Sequence, residues 1–229
     1  MQAGAGSIRA FPGAFSEVLT DHSRKCFYAR QWSAHSMPWI KNFDVEQTLD
    51  KAMQVFWARG YEATSMQDLV HFMGINRGSI YATYGDKRKL FISALQRYDQ
   101  DWRQSQLAVL ESHPSPRAAI SKLFNDWIER ILRDPDRCGC FLTNTALEMA
   151  SHDPEIGALV AKTQRETEDF FARLVKKAQG LGEIPAATSP RQAARTLLAA
   201  LIGMLVLARS RPERALLRSI SHGALSALG

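Results

Sequence analysis

Residues 65–84 read SMQDLVHFMGINRGSIYATY, and their spacing predicts two short helices joined by a tight glycine turn. Ser65 stands where it can cap the first helix. Asp68, three residues on, closes a capping box in which each partner satisfies the other's backbone N–H. Leu69, Val70, Phe72 and Met73 give that helix an apolar face. Gly74 stands where the helix ends and the backbone must turn through positive φ, which costs glycine no steric clash. Ile75 anchors the turn and Asn76 caps a second helix over 77–84, with Ile80 facing inward and Arg77, Ser79, Tyr81 and Thr83 facing out. This is the layout of a helix-turn-helix, whose second helix enters the major groove of DNA. A plain helical hairpin has the same local pattern, so the flanking sequence has to decide.

Upstream, Val45, Leu49, Ala52, Met53, Phe56 and Trp57 recur at helical spacing over 44–59, ahead of Gly60-Tyr61 and Thr64-Ser65. Downstream come Tyr84, Lys87 and Leu90, with Asp86 placed to cap a long helix over 87–111. This order, over 42–102, resembles the TetR/AcrR family of one-component transcriptional regulators. Three positions depart from the family pattern: Val70 stands where a small alanine is usual, Asn76 where serine or threonine is, and Tyr84 where phenylalanine is. The first bears on helix–helix spacing; the other two conserve capping and packing. The resemblance implies a DNA-binding head, a helical body that takes a small-molecule effector, and a homodimer that releases its double-stranded operator when the effector binds. It also implies that Tyr81 reaches a backbone phosphate while Tyr84 packs in the head.

Residue chemistry fills in the contacts. The two donors of Arg77 suit O6 and N7 of guanine, and Gly78 permits close backbone approach. Lys87, and Thr64 or Ser65, are placed to hold phosphates. The candidate DNA-contacting set is therefore Thr64, Ser65, Asn76, Arg77, Gly78, Ser79, Tyr81, Thr83, Tyr84 and Lys87. Lys87, Arg88 and Lys89 crowd a helix N-terminus, where cations oppose the helix dipole. A phosphate there would remove the penalty; a solvated basic turn is the alternative.

The chain has 229 residues, 45% of them hydrophobic, enough for one large or two small domains with a real core, and its net charge of +6 suits an anionic partner. Three cysteines, Cys26, Cys138 and Cys140, are too few for a disulfide framework and point to a reducing compartment. No basic segment followed by an apolar one opens the chain, and the longest apolar run, 197–208, is short for a bilayer. The expected location is the cytoplasm, with no membrane partner. No HExxH, phosphate-binding glycine loop or GxSxG occurs, and the six histidines are dispersed, so neither catalysis, a metal nor a cofactor is expected.

Beyond the head, Ser115-Pro116, Asp153-Pro154 and Ser189-Pro190 each read as an N-cap followed by proline at the first helical position. They start helices over 116–133, 154–180 and 190–209. A shorter helix is expected over 138–151, and a last one over 212–228. The fold class is all-α: an N-terminal extension (1–41), a three-helix helix-turn-helix head (42–102) and a larger effector-binding and dimerisation body (103–229). Trp102, Phe124, Trp127, Phe141, Met149, Phe170 and Met204 are the candidate pocket residues, with a largely apolar ligand as the default. The helix over 190–209 is apolar nearly all round. A homodimer interface is therefore expected through Leu197, Leu198, Leu201, Ile202, Leu205, Leu216, Leu217 and Ile220.

Cys138 and Cys140 flank Gly139 at a helix start, where the dipole can lower a thiol pKa. They are either a redox or electrophile sensor or simple packing. Two alternatives to effector release follow: a thiol-switched regulator, and a helical ligand-binding protein that keeps the fold without the DNA function.

Residues 1–36 lack a periodic apolar face. They read as a tail, as a segment ahead of a natural start at Met37, or as a basic arm carrying Arg9, Arg24, Lys25 and Arg30. A chain beginning at Met37 is expected to keep its melting temperature and DNA affinity. A large loss of either would mean that the segment packs or touches DNA.

Overall fold

The computed structural model describes residues 43–229; the expectations for 1–41 lie outside them. Helix α1 (Val45–Arg59) starts where the Asp44 carboxylate accepts from the Glu46 and Gln47 amides, and it ends at Gly60. Helices α2 (Met66–Met73) and α3 (Arg77–Tyr84) follow. Ser65 and Asp68 form the capping box reciprocally, and Gly74 takes φ 72° and ψ 22°, the left-handed turn that its position requires. Leu69, Met73 and Ile80 bury their side chains in the same apolar core as Ala52, Met53 and Phe56 of α1. Each such large apolar side chain contributes about 1.5–3 kcal/mol.

Asp86 caps α4 (Lys87–Tyr98) by accepting from the Lys89 amide. The single helix expected over 87–111 is interrupted: the chain widens into π turns over Asp99–Gln104 and resumes as α5 (Ser105–Glu111). The cause is Asp99, which is buried and therefore needs partners. Arg103 pairs with it, and Gln104 Nε2 donates to its Oδ2 at 2.6 Å. Widening the turn brings that second partner, five residues on, into reach.

The three proline-started helices occur as read: α6 (Pro116–Arg133), α8 (Pro154–Gly180) and α9 (Pro190–Ser210). Helix α7 (Phe141–Glu148) is shorter than the expected 138–151. Cys138 to Cys140 stay outside the helix because the Cys138 amide donates to Asp134 Oδ2 and its carbonyl accepts from Asn144 Nδ2, both at 2.7 Å. Helix α10 (Arg214–Ser226) closes the fold. Among the described residues there is no strand. Helix α9 is long and apolar enough to cross a membrane by length and composition alone, a test that the core helix of a soluble protein also passes. Its buried side, including Leu197, Leu201, Met204 and Leu205, packs within the body, most extensively along α8.

Head and body share one continuous apolar core and are tied by polar contacts around α7 and α8. Glu148 accepts from the Tyr61 and Glu62 amides at 3.1 and 2.9 Å. Gly60 has φ +84°, which favours glycine, and a Cβ there would sit 2.7 Å from Glu148 Oε2 and push that carboxylate aside. Trp57 Nε1 donates to the Gly139 carbonyl at 3.1 Å. Arg88 of α4 donates to both Asp153 and Glu155 at the start of α8, at 2.8 Å each through Nη2.

The Arg88 guanidinium lowers the Asp153 carboxyl from 3.8 to about 2, with help from the Ile156 amide. A depressed carboxyl pKa contributes stability above its ordinary value and loses it as pH falls through the depressed one. The melting-temperature advantage of wild type over Arg88→Met is therefore expected to be constant above pH 3.8 and to shrink as the pH falls toward about 2. An advantage independent of pH across that window would mean that Arg88 acts through packing alone.

Candidate nucleic-acid interface and ligand cavity

Helix α3 exposes Arg77, Gly78, Tyr81 and Ala82, the i, i+1, i+4, i+5 stripe that a helical period dictates. Arg77 Nη2 donates to the Tyr81 hydroxyl at 3.2 Å, and its guanidinium carbon lies 5.6 Å from the Tyr81 ring centroid. The two side chains thus form one preorganised donor surface on the solvent side of the helix. Asn76 is exposed, and its Oδ1 accepts from the Ser79 amide at 2.8 Å, so its side chain is occupied as a cap.

Several expected contacts are corrected. Ser79 is buried beneath α3, because taking alternate residues as outward imposes a two-residue period on a helix. Thr83 is half-buried, and Ala82 takes the outward place. Thr64 is fully buried and donates its hydroxyl to the Gly60 carbonyl at 2.6 Å, so it holds the turn rather than a phosphate. Ser65 is exposed but its Oγ is engaged by Asp68. The Tyr84 hydroxyl donates to the Val45 carbonyl at 2.8 Å and meets Thr48 Oγ1 at 2.7 Å. That places Tyr84 in the head, as the resemblance implied. Lys87 stands at the start of α4 with Nζ 4.2 Å from the Tyr61 ring centroid.

Within the body, a cavity of about 70 Å³ is walled by α4 through α9. Trp102 and Trp127 line it, as expected. Phe124, Phe141, Phe170 and Met204 are instead solid core, and Met149 is buried away from the cavity wall. Leu198, Leu201, Ile202 and Leu205 of the expected dimer face line this cavity, while Leu197 and Leu217 are wholly buried in their own body. The reason is the same helical geometry: α9 has too few sides for all its leucines to point outward. Leu216 and Ile220 remain half-exposed, beside the exposed Val206 and Leu207. Sequence reasoning missed Arg130, which enters the cavity wall from α6; nothing in its spacing distinguishes it from the other cations there.

Cys138 and Cys140 are buried. Burial, and then the nearby Asp134 and Asp136, push Cys138 up to about 12, the opposite of the expected dipole effect. Cys140 lies at the α7 N-cap without capping, and the Tyr98 hydroxyl donates to its Sγ at 3.6 Å. Among the described residues no group of side chains could hold a metal ion.

Comparison with known proteins matches these two regions separately. Residues 49–94 fit the model for bacterial regulatory proteins of the tetR family, and residues 116–222 fit the tetracyclin repressor-like C-terminal domain. An uncharacterized HTH-type transcriptional regulator of Bacillus subtilis, YezE, is 38% identical over 145 residues, covering 63% of this chain and 74% of that protein. The chain belongs to the TetR family. This TetR-family regulator is also similar to the Escherichia coli HTH-type transcriptional repressor ComR, at 29% identity over 74% of this chain and 81% of ComR. Among solved structures, a cysteine mutant of the TetR-family regulator CifR, complexed with a 26-base-pair operator duplex, superposes with a TM-score of 0.73. It shares 28% identity and covers 84% of this chain and 100% of that one. That protein and this TetR-family regulator share one fold.

With its thiol pushed up to about 12, Cys138 is expected to resist iodoacetamide in the folded protein at pH 8 and to react once the protein is denatured. Cys140→Ser is expected to lower stability modestly and leave DNA binding intact. Rapid alkylation of native protein with loss of DNA binding would restore the thiol-sensor reading.

Proposed function

We propose that this TetR-family regulator works in the cytoplasm as a homodimeric, non-enzymatic repressor whose grip on its operator is loosened by an effector in the body cavity. The observation that carries this reading is the position of Trp57. It belongs to α1, on which α2 packs and to which α3 is tied through the Tyr84 hydroxyl, and it also stacks on Arg130 at the cavity wall, 5.0 Å from ring centroid to guanidinium carbon. A ligand that rearranges the cavity wall therefore acts on the helix that braces the recognition helix. The effector need only prefer one body conformation for the spacing of two recognition helices on successive major grooves to change.

The dimer surface we infer is the outer side of α9 and α10, with Val206, Leu207, Leu216 and Ile220 as its apolar part. Gly203 and Gly223 lie inside these helices, and a Cβ on either would meet nothing within 4 Å. A glycine inside a helix costs about 1 kcal/mol relative to alanine. A partner helix lying close against both would account for them, and a two-fold axis would bring the same patch against itself.

Gel-shift titration on the DNA flanking its own gene tests the reading, with salt dependence separating the roles of two residues. Arg77→Ala is expected to cost about 1–3 kcal/mol on the operator and to relax preference at one base pair. Lys87→Ala is expected to weaken all duplexes alike and to make the salt slope shallower by about one unit. Equal losses on operator and scrambled DNA for Arg77→Ala would make Arg77 a phosphate anchor. No shift of any duplex at low salt would sink the repressor reading.

A further inference from the structure

Arg130 sits in a cage of three indoles. Its guanidinium carbon lies 5.0 Å from the Trp57 ring centroid, 4.5 Å from that of Trp102 and 5.0 Å from that of Trp127. Aromatic faces favour a cation held over them, which explains how the charge is tolerated in an apolar wall. They do nothing for the in-plane N–H groups, which require acceptors. Nη2 of Arg130 is buried with no acceptor, and among the described residues no carboxylate pairs with this side chain. The other arginine on the cavity wall is different: Arg103 is paired with Asp99 and Glu166. The cavity thus contains one neutralised cation and one that has no counter-ion among the described residues.

A buried charge-bearing donor left unmatched is costly, and protein interiors retain such groups when something else satisfies them. The remaining wall is largely apolar, with Leu123, Leu142, Val160 and Leu201 among its members, and its other polar side chains, such as Gln106 and Gln164, are neutral. We propose that the effector is a small organic monocarboxylate: its carboxylate accepts from Arg130, and its apolar body lies among those aliphatic side chains. A single charge matches the single unpaired cation; a dianionic phosphate would leave one charge unmatched. The proposal rests on the reading that the cavity is the effector site. It also gives a route to the head. A carboxylate in the plane of the guanidinium fixes that plane, and one of the three rings stacked on it is Trp57 of α1.

The test uses the full chain and three acids, benzoate, phenylacetate and hexanoate, each against its own amide, which has the same shape without the charge. Binding is read by tryptophan fluorescence, because three indoles surround the site, and by the shift in melting temperature. At least one acid is expected to bind at least tenfold more tightly than its amide. Arg130→Gln is expected to erase that preference, and Arg130→Lys to keep part of it, since the charge survives while the planar fork does not. Circular dichroism checks that the variants fold. If Arg130→Gln does not fold, Arg130→Lys decides, and undiminished acid affinity in that variant overturns the proposal. It is equally overturned if no acid binds, if every amide matches its acid, or if the glutamine variant keeps the preference. Operator gel shifts run alongside separate the two readings: an acid that binds through Arg130 without releasing DNA leaves the ligand assignment standing and removes the effector role.

Discussion

The recognition helix is only as well placed as α1, and α1 is held by a carboxylate from another part of the chain. Glu148 accepts from the backbone amides of Tyr61 and Glu62, in the turn between α1 and α2. Those amides would otherwise be left without partners at a helix–helix junction. The contact brings Glu148 so close to Gly60 that a side chain there would collide with it. Charge-assisted bonds of this kind are stronger than neutral ones, and a bidentate arrangement fixes direction as well as distance. Around it lie the Trp57–Gly139 hydrogen bond and the Arg88 pairs with Asp153 and Glu155. All of these join the head to the stretch from Gly139 to α8. A change in that stretch is therefore a change in the seat of the head.

The same stretch borders the cavity, with Cys140, Leu142 and Thr143 on the cavity wall and Phe141 against Phe91 and Tyr98 of α4. A close-packed interior has few intermediate arrangements, so a ligand that displaces one wall tends to shift its neighbours together. The interruption of the long helix at Asp99–Gln104 belongs to this region as well. There Arg103 links the widened turns to Glu166 of α8. The body is thus joined to the head through α4, and Arg103 ties the widened turns to α8 beside the cavity.

Much of this was legible in the sequence, for identifiable reasons. Capping is local chemistry: Ser65 with Asp68, Asn76, Asp86, Ser115, Asp153 and Ser189 all cap the helices their positions announced. Gly74 adopts the left-handed turn that its place between two helices demands. What misled the reading of α3 was treating alternate residues as outward, which hid Ala82 and exposed Ser79 on paper. The hydroxyls of Thr64 and Tyr84 looked available because a sequence does not show which carbonyls lie nearby; in the fold they serve Gly60 and Val45.

The sequence by itself determined the order of the helices, their capped ends and the family pattern of the head, because each depends on residues within a few positions of one another. The tertiary structure decided which leucines of α9 face the cavity, that Asp99 would widen its helix, and that Cys138 would be a suppressed thiol rather than an activated one. It also decided that Arg130 would stand among Trp57, Trp102 and Trp127, paired with no carboxylate among the described residues. These are properties of surroundings assembled from distant parts of the chain. Burial and the presence or absence of a counter-charge arise only when those parts meet, and no local spacing encodes them.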